Sequence, residues 1–444
     1  MAALDTGVKG GERDRADAVD PTGRSLWLIA AVPFLMVLGN SMLFPVFPAM
    51  QRALAVSEVQ TSLVVTAFSV PAGVLIPVAG YLSDRYGRRP VMAPGVAVFG
   101  LGALVAGLAG ALLGAPYAAL IVGRVIQGIG AAAMSQLAMA MVADTFAGAS
   151  RAGALGKIEA ANGMGKVVSP ISGGLVGLVA WFLPFFVFAA LALPLAIAVW
   201  LFTREAASVG ENVGARRYIG RIGAIFRARG RALGSALVAG GVTMLVLFGT
   251  LFFLSETLET RWHVPELLTG LLLAVPVAAM SATSYGVGLY LGPRPANARR
   301  AVLVGLTLLV AVEVVLAFLH AVRPVLLGAI FCVGLGGGLG LPALNLLITS
   351  SVGANERGLI TSLYGGVRFF GVALGPPAFG LVMRRGEGLL FALAAALAAL
   401  ALATTLAFLS SDELLSRPQG GRGGRGGGDR AAPAAPLALR LRQP

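Results

Sequence analysis

The chain has 444 residues, 57% of them hydrophobic and only 12% charged. A soluble domain carries about 25% charged residues, so ordinary water-facing surfaces are excluded and an all-α integral membrane protein is expected. One cysteine, Cys332, excludes an internal disulfide framework, two scattered histidines exclude a zinc centre, and the net charge of +14 has to be accounted for by topology.

In chain order, residues 1–25 form a polar N-tail with no secretory signal, because the first apolar run is a full span with no cleavage pattern. About 20 apolar residues cross a bilayer core. Apolar runs between breakers predict spans 1 (27–48), 2 (60–80), 3 (91–113), 4 (117–142), 5 (152–177) and 6 (181–202). After a charged central loop (203–231) come spans 7 (232–256), 8 (266–290), 9 (301–321), 10 (324–350), 11 (358–383) and 12 (388–410). The tail, 412–444, is rich in Gly, Arg and Pro and is expected to be disordered. Its Gly/Arg run at 419–430 lacks the aromatics that stack bases, so no nucleic-acid partner is expected.

Lys and Arg concentrate in the tails, loops 2/3, 4/5, 8/9 and 10/11, and the central loop, whereas the opposite loops hold only Arg52, Arg261, Arg323, Arg384 and Arg385. The positive-inside rule then puts both termini in the cytoplasm of a multi-pass cell-membrane protein. That face should attract anionic lipids.

One gap-free shift superposes Gly128 on Gly334, Gly130 on Gly336, Arg151 on Arg357, Gly165 on Gly371, Pro170 on Pro376 and Gly174 on Gly380. The expected architecture is two pseudo-symmetric six-helix bundles, 26–202 and 232–411, with a substrate site between them at mid-membrane. Transport by alternating access follows, and not enzymatic chemistry. The Gly156-Lys157 and Gly165-Lys166 pairs lack the rest of a phosphate-binding loop, so neither ATP nor any other cofactor is expected.

Between spans 2 and 3 runs Gly80-Tyr81-Leu82-Ser83-Asp84-Arg85-Tyr86-Gly87-Arg88-Arg89-Pro90. A carboxylate at a helix end can face another helix's N-terminal dipole, here that of span 11, while arginines pair with Asp144 at the end of span 4. Gly80, Asp84, Arg85, Gly87, Arg88, Arg89 and Asp144 are therefore the expected conformational latch. The stretch resembles the signature loop of the major facilitator superfamily, Gly-x-x-x-Asp-Arg-x-Gly-Arg-Arg/Lys, and the likeness of pattern and topology covers about residues 26 to 410. Span 4 carries Gly123-Arg124-Val125-Ile126-Gln127-Gly128, similar to a second family motif whose buried arginine is implicated in proton transfer. Gly128-x-Gly130 imitates a dinucleotide fingerprint, but no strand precedes it.

In span 5, Gly165, Ser169, Pro170, Gly173 and Gly174 resemble the Gly-x-x-x-Gly-Pro-x-x-Gly-Gly motif of the family's drug:proton antiporters, with Ser169 in place of a glycine. Span 11 repeats it as Gly371, Gly375 and Pro376. The resemblance implies export. Leu38-Gly39-Asn40-Ser41-Met42, Phe68 to Gly73 and Glu159 to Pro170 are similar to phrases of Bacillus-type bacillibactin and multidrug exporters.

Glu159, Asn162 and Lys166 share one face of span 5, Glu159 roughly 10 Å and Lys166 roughly 21 Å from the inner boundary. Charges at such depths are costly unless they face a cavity or a partner. Arg368 of span 11 is the pseudo-equivalent of Asn162. Glu159, with Arg124 as its partner, is the expected proton-coupling pair; Asn40, Asn162, Lys166 and Arg368 are expected to line the cavity or gate it. Three cations against one acid favour an anionic or polyhydroxylated substrate. A proton-driven antiporter exporting a small drug-like or siderophore-like molecule is the expected function, acting as a monomer. The alternatives are an uptake symporter on the same fold and a non-transporting membrane receptor or scaffold.

Overall fold

The computed structural model describes residues 23–112, 117–146, 148–203, 215–292, 294–352, 356–410 and 414. Among these residues it is helical throughout, with no strand. The N-tail, most of the C-terminal tail and part of the central loop lie outside the described residues.

Span 1 is Gly23–Ser41, a 3-10 turn Phe44–Val46 and a second helix, Phe47–Leu54. Pro45 and Pro48 offer no backbone donor, so the chain breaks and restarts there, and the run extends beyond its expected end. Span 2, Glu58–Tyr86, opens on a capping box between Ser57 and Gln60. Span 3 is Arg88–Leu112, and span 4 is Tyr117–Ala131 and Ser135–Thr145. Spans 5 and 6 are Gly148–Gly177 and Leu183–Phe202. Span 7, Ala215–Glu256, takes in the end of the central loop, kinks at Arg229 and finishes in a π-helical turn, Thr257–Arg261. Spans 8 to 12 are Glu266–Leu291, Ala298–Leu319, Arg323–Ser350, Arg357–Met383 and Glu387–Phe408.

Eleven of these runs are long and apolar enough to cross a membrane. Span 5 is equally long but too polar, because it carries Lys157, Glu159, Asn162, Lys166 and Ser169. A helix that sacrifices apolarity while staying full length is one that faces a cavity.

The sequence repeat reappears as repeated packing. Span 1 packs on 5 and 6, span 2 on 4, and span 3 on 4 and 6; span 7 packs on 11 and 12, span 8 on 10, and span 9 on 10 and 12. In hydrocarbon, helices gain little from burying leucine, so close contact depends on small residues. A methyl group on Gly128 would strike the Phe68 carbonyl, and one on its repeat mate Gly334 would strike the Pro276 carbonyl. The superposed glycines thus play one role in both halves, letting the fourth helix lie against the second.

Two helix pairs make most of the contact between the halves, span 2 with 11 and span 5 with 8. At the end opposite the basic loops, hereafter the far end, a Cβ on Gly174 would lie 2.5 Å from the Glu266 carbonyl. Phe44 and Phe47 of span 1 stack with Phe248 and Phe252 of span 7 at 5.8 and 6.0 Å, and Ser255 Oγ donates to the Phe44 carbonyl at 2.6 Å. Halfway along, Gly163 only approaches Ser281, 3.8 Å from a Cβ placed on it, and at the basic end Gly153, Gly156, Gly286 and Gly288 face open space. Spans 5 and 8 therefore diverge: the seam is sealed at the far end and open at the basic end.

Candidate substrate cavity and its supports

Glu159 is exposed within the opening, and Asn162, Lys166 and Arg368 are half-buried deeper in the seam. Lys166 lies within Coulombic range of Glu159 on its own helix and of Arg368 on the opposite half. Neither Lys166 nor Glu159 closes a direct hydrogen bond or ion pair among the described residues. Arg368 places its guanidinium 5.5 Å from the centre of the Tyr364 ring. The Arg368 Nε and the Ser281 hydroxyl are buried in the seam with no partner among the described residues, whereas the Tyr364 hydroxyl, equally unpartnered, lies against Gly240 of span 7. Unsatisfied donors and two cations from opposite halves, facing one acid, make a site for an acceptor-rich molecule. Tyr364 and Ser281 escaped the sequence reading; Tyr364 stands one helical turn before Arg368, which is the only signal the sequence carries for it.

Arg124 belongs to a different place. It is 0% exposed, and its bonds go to the carbonyls of Val64 and Gly39 and to Gln127 and Asn40. The structure does not bring it to Glu159. The reason is depth: Arg124 is seven residues from one end of span 4 and Glu159 is in the opposite half of span 5, roughly 10 Å apart along the membrane normal. Asn40, 7% exposed, joins Arg124 and not the cavity cluster.

The glycine and proline positions of span 5 are packing surfaces. A Cβ on Gly165 would sit 3.0 Å from the Phe34 carbonyl of span 1, and one on Gly173 would strike that of Met42. Ser169, fully buried beside Pro170, donates to the Leu38 carbonyl at 3.4 Å. Gly371 and Gly375, with Pro376 beside them, do the same for span 11 against Gly241 and Leu245 of span 7. The two motif copies hold the helices that flank the seam.

In the loop between spans 2 and 3, Gly87 takes a φ of 101°, a left-handed conformation that only glycine adopts freely, and this reverses the chain directly after the Gly80-to-Tyr86 stretch of helix. Arg88 then donates to Asp84 Oδ1 and to Ser83 Oγ at 2.6 Å and to Asp144 Oδ2 at 3.0 Å. Arg89 donates to the Thr203 carbonyl at 3.0 Å and lies over Trp200. Arg85 stays exposed beside Tyr86. These bonds tie spans 2, 3, 4 and 6 within one half. Arg88→Met is expected to cost on the order of 1 kcal/mol, as part-exposed ion pairs do. In thermal unfolding, Asp144→Asn should add little once Arg88 is gone, and additive effects would refute the pairing.

Comparison with known proteins fits this arrangement. The Major Facilitator Superfamily profile matches residues 29–376 and 294–444. The chain belongs to the major facilitator superfamily. It is a multi-pass membrane transporter and not an enzyme. The "Bacillibactin exporter" of Bacillus subtilis is 36% identical over 374 residues, 84% of this chain and 93% of that protein. Among solved structures, the human organic anion transporter superposes with a TM-score of 0.67 at 19% identity, covering 87% of this chain and all of the other. A D-xylose–proton symporter superposes with a TM-score of 0.68 at 13% identity, covering 88% and 98%. Proteins named as an exporter and as a proton symporter are thus both among the matches, and the backbone alone does not set direction.

Proposed function

We propose that this transporter exports a small organic molecule, anionic or rich in hydroxyls, across the cell membrane in exchange for protons. The observation that carries this reading is the polar face of span 5, which sets Glu159, Asn162 and Lys166 opposite Arg368 in the open seam. Its similarity over most of both chains to a protein named a bacillibactin exporter supports the outward direction. The basic end is the cytoplasmic face, held near anionic headgroups, and the unit of transport is one chain.

In this mechanism the ionised Glu159 competes with substrate for Lys166. A proton arriving at Glu159 removes the competitor, frees the ammonium for the substrate or the gate, and shifts the balance of the two conformations; deprotonation restores it. Glu159→Gln keeps the shape and fixes the neutral form. It is expected to abolish substrate-driven dissipation of a pH gradient in inverted vesicles while leaving substrate binding intact. Proton-coupled efflux that survives the substitution would sink the role of Glu159. Flux in the opposite sense would replace export by uptake, and flux without a proton would leave a transporter driven by another gradient.

A further inference from the structure

The sealed far end of the seam holds a second cluster of ionisable groups, separate from the cavity. Gln51 and Arg52 close span 1, Glu58 opens span 2, Glu256 ends span 7, Glu259 sits in the π-helical turn, and Glu266 opens span 8. Gln51 Nε2 donates to Glu256 Oε2 at 3.0 Å, and Arg52 Nη2 donates to Glu259 Oε1 at 2.7 Å. Both bonds cross from one half of the transporter to the other, so both exist only while the far end is shut.

Glu256 is 5% exposed and the Glu259 side chain 10%. Glu58 and Glu259 lie in Coulombic range of Glu256, and Glu266 in range of Glu259. Against these four carboxyls the cation in range is Arg52, whose side chain is 64% exposed. Of the other bases at that end, His263 is exposed in the turn between Glu259 and Glu266, and the rest are turned elsewhere. Arg261 and His320 face Glu387, Arg323 lies over Trp262, and Arg384 and Arg385 are exposed beyond span 11. One oxygen each of Glu58 and Glu259 is buried with no donor. Closing the seam therefore dehydrates more negative charge than it neutralises, and a carboxyl so placed favours its protonated form.

We propose that this seam is a proton-binding site centred on Glu256, which takes a proton from the far-side water when the halves close there and releases it to the same side when they part. The site rests on alternating access but not on the direction of export, the nature of the substrate or the role of Glu159. The sealed state binds the proton more tightly than the open state, so acid on the far side favours sealing. For one proton, the sealed-to-open ratio falls by up to about tenfold per pH unit as pH rises.

The test is a distance between spin labels on the two halves at the far end, in the full chain in lipid nanodiscs without substrate. Val179 and Phe318, 77% and 81% exposed, are replaced by cysteine in a Cys332→Ser background. In a Glu159→Gln background, which removes any pH response of the cavity, the chain with Glu256 intact is expected to gain short distances as pH is lowered, and Glu256→Gln to hold them with a nearly flat pH response. A flat response with Glu256 intact, or an unchanged slope and midpoint in Glu256→Gln, overturns the proposal. Infrared difference spectra of the native protein provide the control that needs no variant at Glu256. A protonated-carboxyl band should rise in step with the short distances, and a band that does not follow them overturns the site as well. None of these readouts requires flux, so failure of the export reading leaves them interpretable.

Discussion

Replacing Arg124 by leucine is expected to keep the N-terminal half from assembling. The guanidinium joins three helices from its place on span 4. Nε donates to the Val64 carbonyl of span 2 at 2.9 Å, and Nη1 donates to the Gly39 carbonyl of span 1 and to Gln127 Oε1, both at 2.7 Å. Nη2 reaches Asn40 Oδ1 at 3.2 Å, and the Phe68 ring lies 4.4 Å below the charge. The Gly39 carbonyl needs such a donor, because span 1 breaks there and the Leu43 amide turns back to Asn40 instead. Leucine would fill part of the volume and leave the Gly39 carbonyl, Gln127 Oε1 and Asn40 Oδ1 buried without this donor, at about 1–3 kcal/mol each. The loss is of the size seen when a buried charged network is broken, about 3–5 kcal/mol. Lysine keeps the charge but replaces a planar fork by a single compact ammonium, so Arg124→Lys should fall between. Monodisperse yield after detergent extraction and the thermal midpoint measure this directly. An Arg124→Leu protein with native yield and midpoint would show that the network is dispensable and would return Arg124 to consideration as a mobile charge.

The contrast between Arg124 and Glu159 shows where sequence reasoning reaches its limit. Apolar runs between breakers predicted all twelve spans, eleven of them on length and apolarity together and span 5 despite its polar face. The repeat of Gly128 in Gly334 announced two similar halves because close approach leaves few choices other than glycine. Arg88 and Asp144 were readable as a pair because both sit at helix ends on one side of the membrane. Pairing between charges inside the membrane was less readable. Sequence gives the depth of Arg124 and of Glu159 separately, but not which helices lie between them or which carbonyls a kink sets free. The break at Pro45 released the Gly39 carbonyl, and that carbonyl took Arg124. The far-end cluster was hidden for a related reason. Glu256 reads from the sequence as a secondary cavity candidate near the outer rim, but nothing in the sequence ties Gln51, Glu58, Glu259 or Glu266 to it, and only closure of one half on the other buries Glu256 among them.

Removing either cation of the seam is expected to change which substrates are carried more than whether the protein folds. Lys166 and Arg368 come from spans 5 and 11, one from each half, and each is half-buried and in range of the other's charge. Like charges facing each other across a closing seam oppose closure unless something negative lies between them, and Glu159 offers one carboxylate for two cations. A bound anion would complete the balance and let the halves come together around it, so the same pair would serve both affinity and the transition. Arg368 is the better probe. Its buried Nε has no partner to lose, and Tyr364 beneath it stays in place through its own packing at 1% exposure. A hydrogen bond to a charged group contributes about 1.5–3 kcal/mol, equivalent to about ten- to a hundredfold in affinity. Arg368→Gln is therefore expected to raise the KM for an anionic catecholate by about that factor in inverted vesicles. It should leave a cationic dye unaffected or better transported, with yield and thermal midpoint near native. Lys166→Met should act in the same direction and also weaken the influence of Glu159, since the carboxylate then has no ammonium to compete for. Equal losses for anion and cation would mean that the pair gates the seam without reading substrate charge. A selective loss of the cation would reverse the assigned polarity of the cavity.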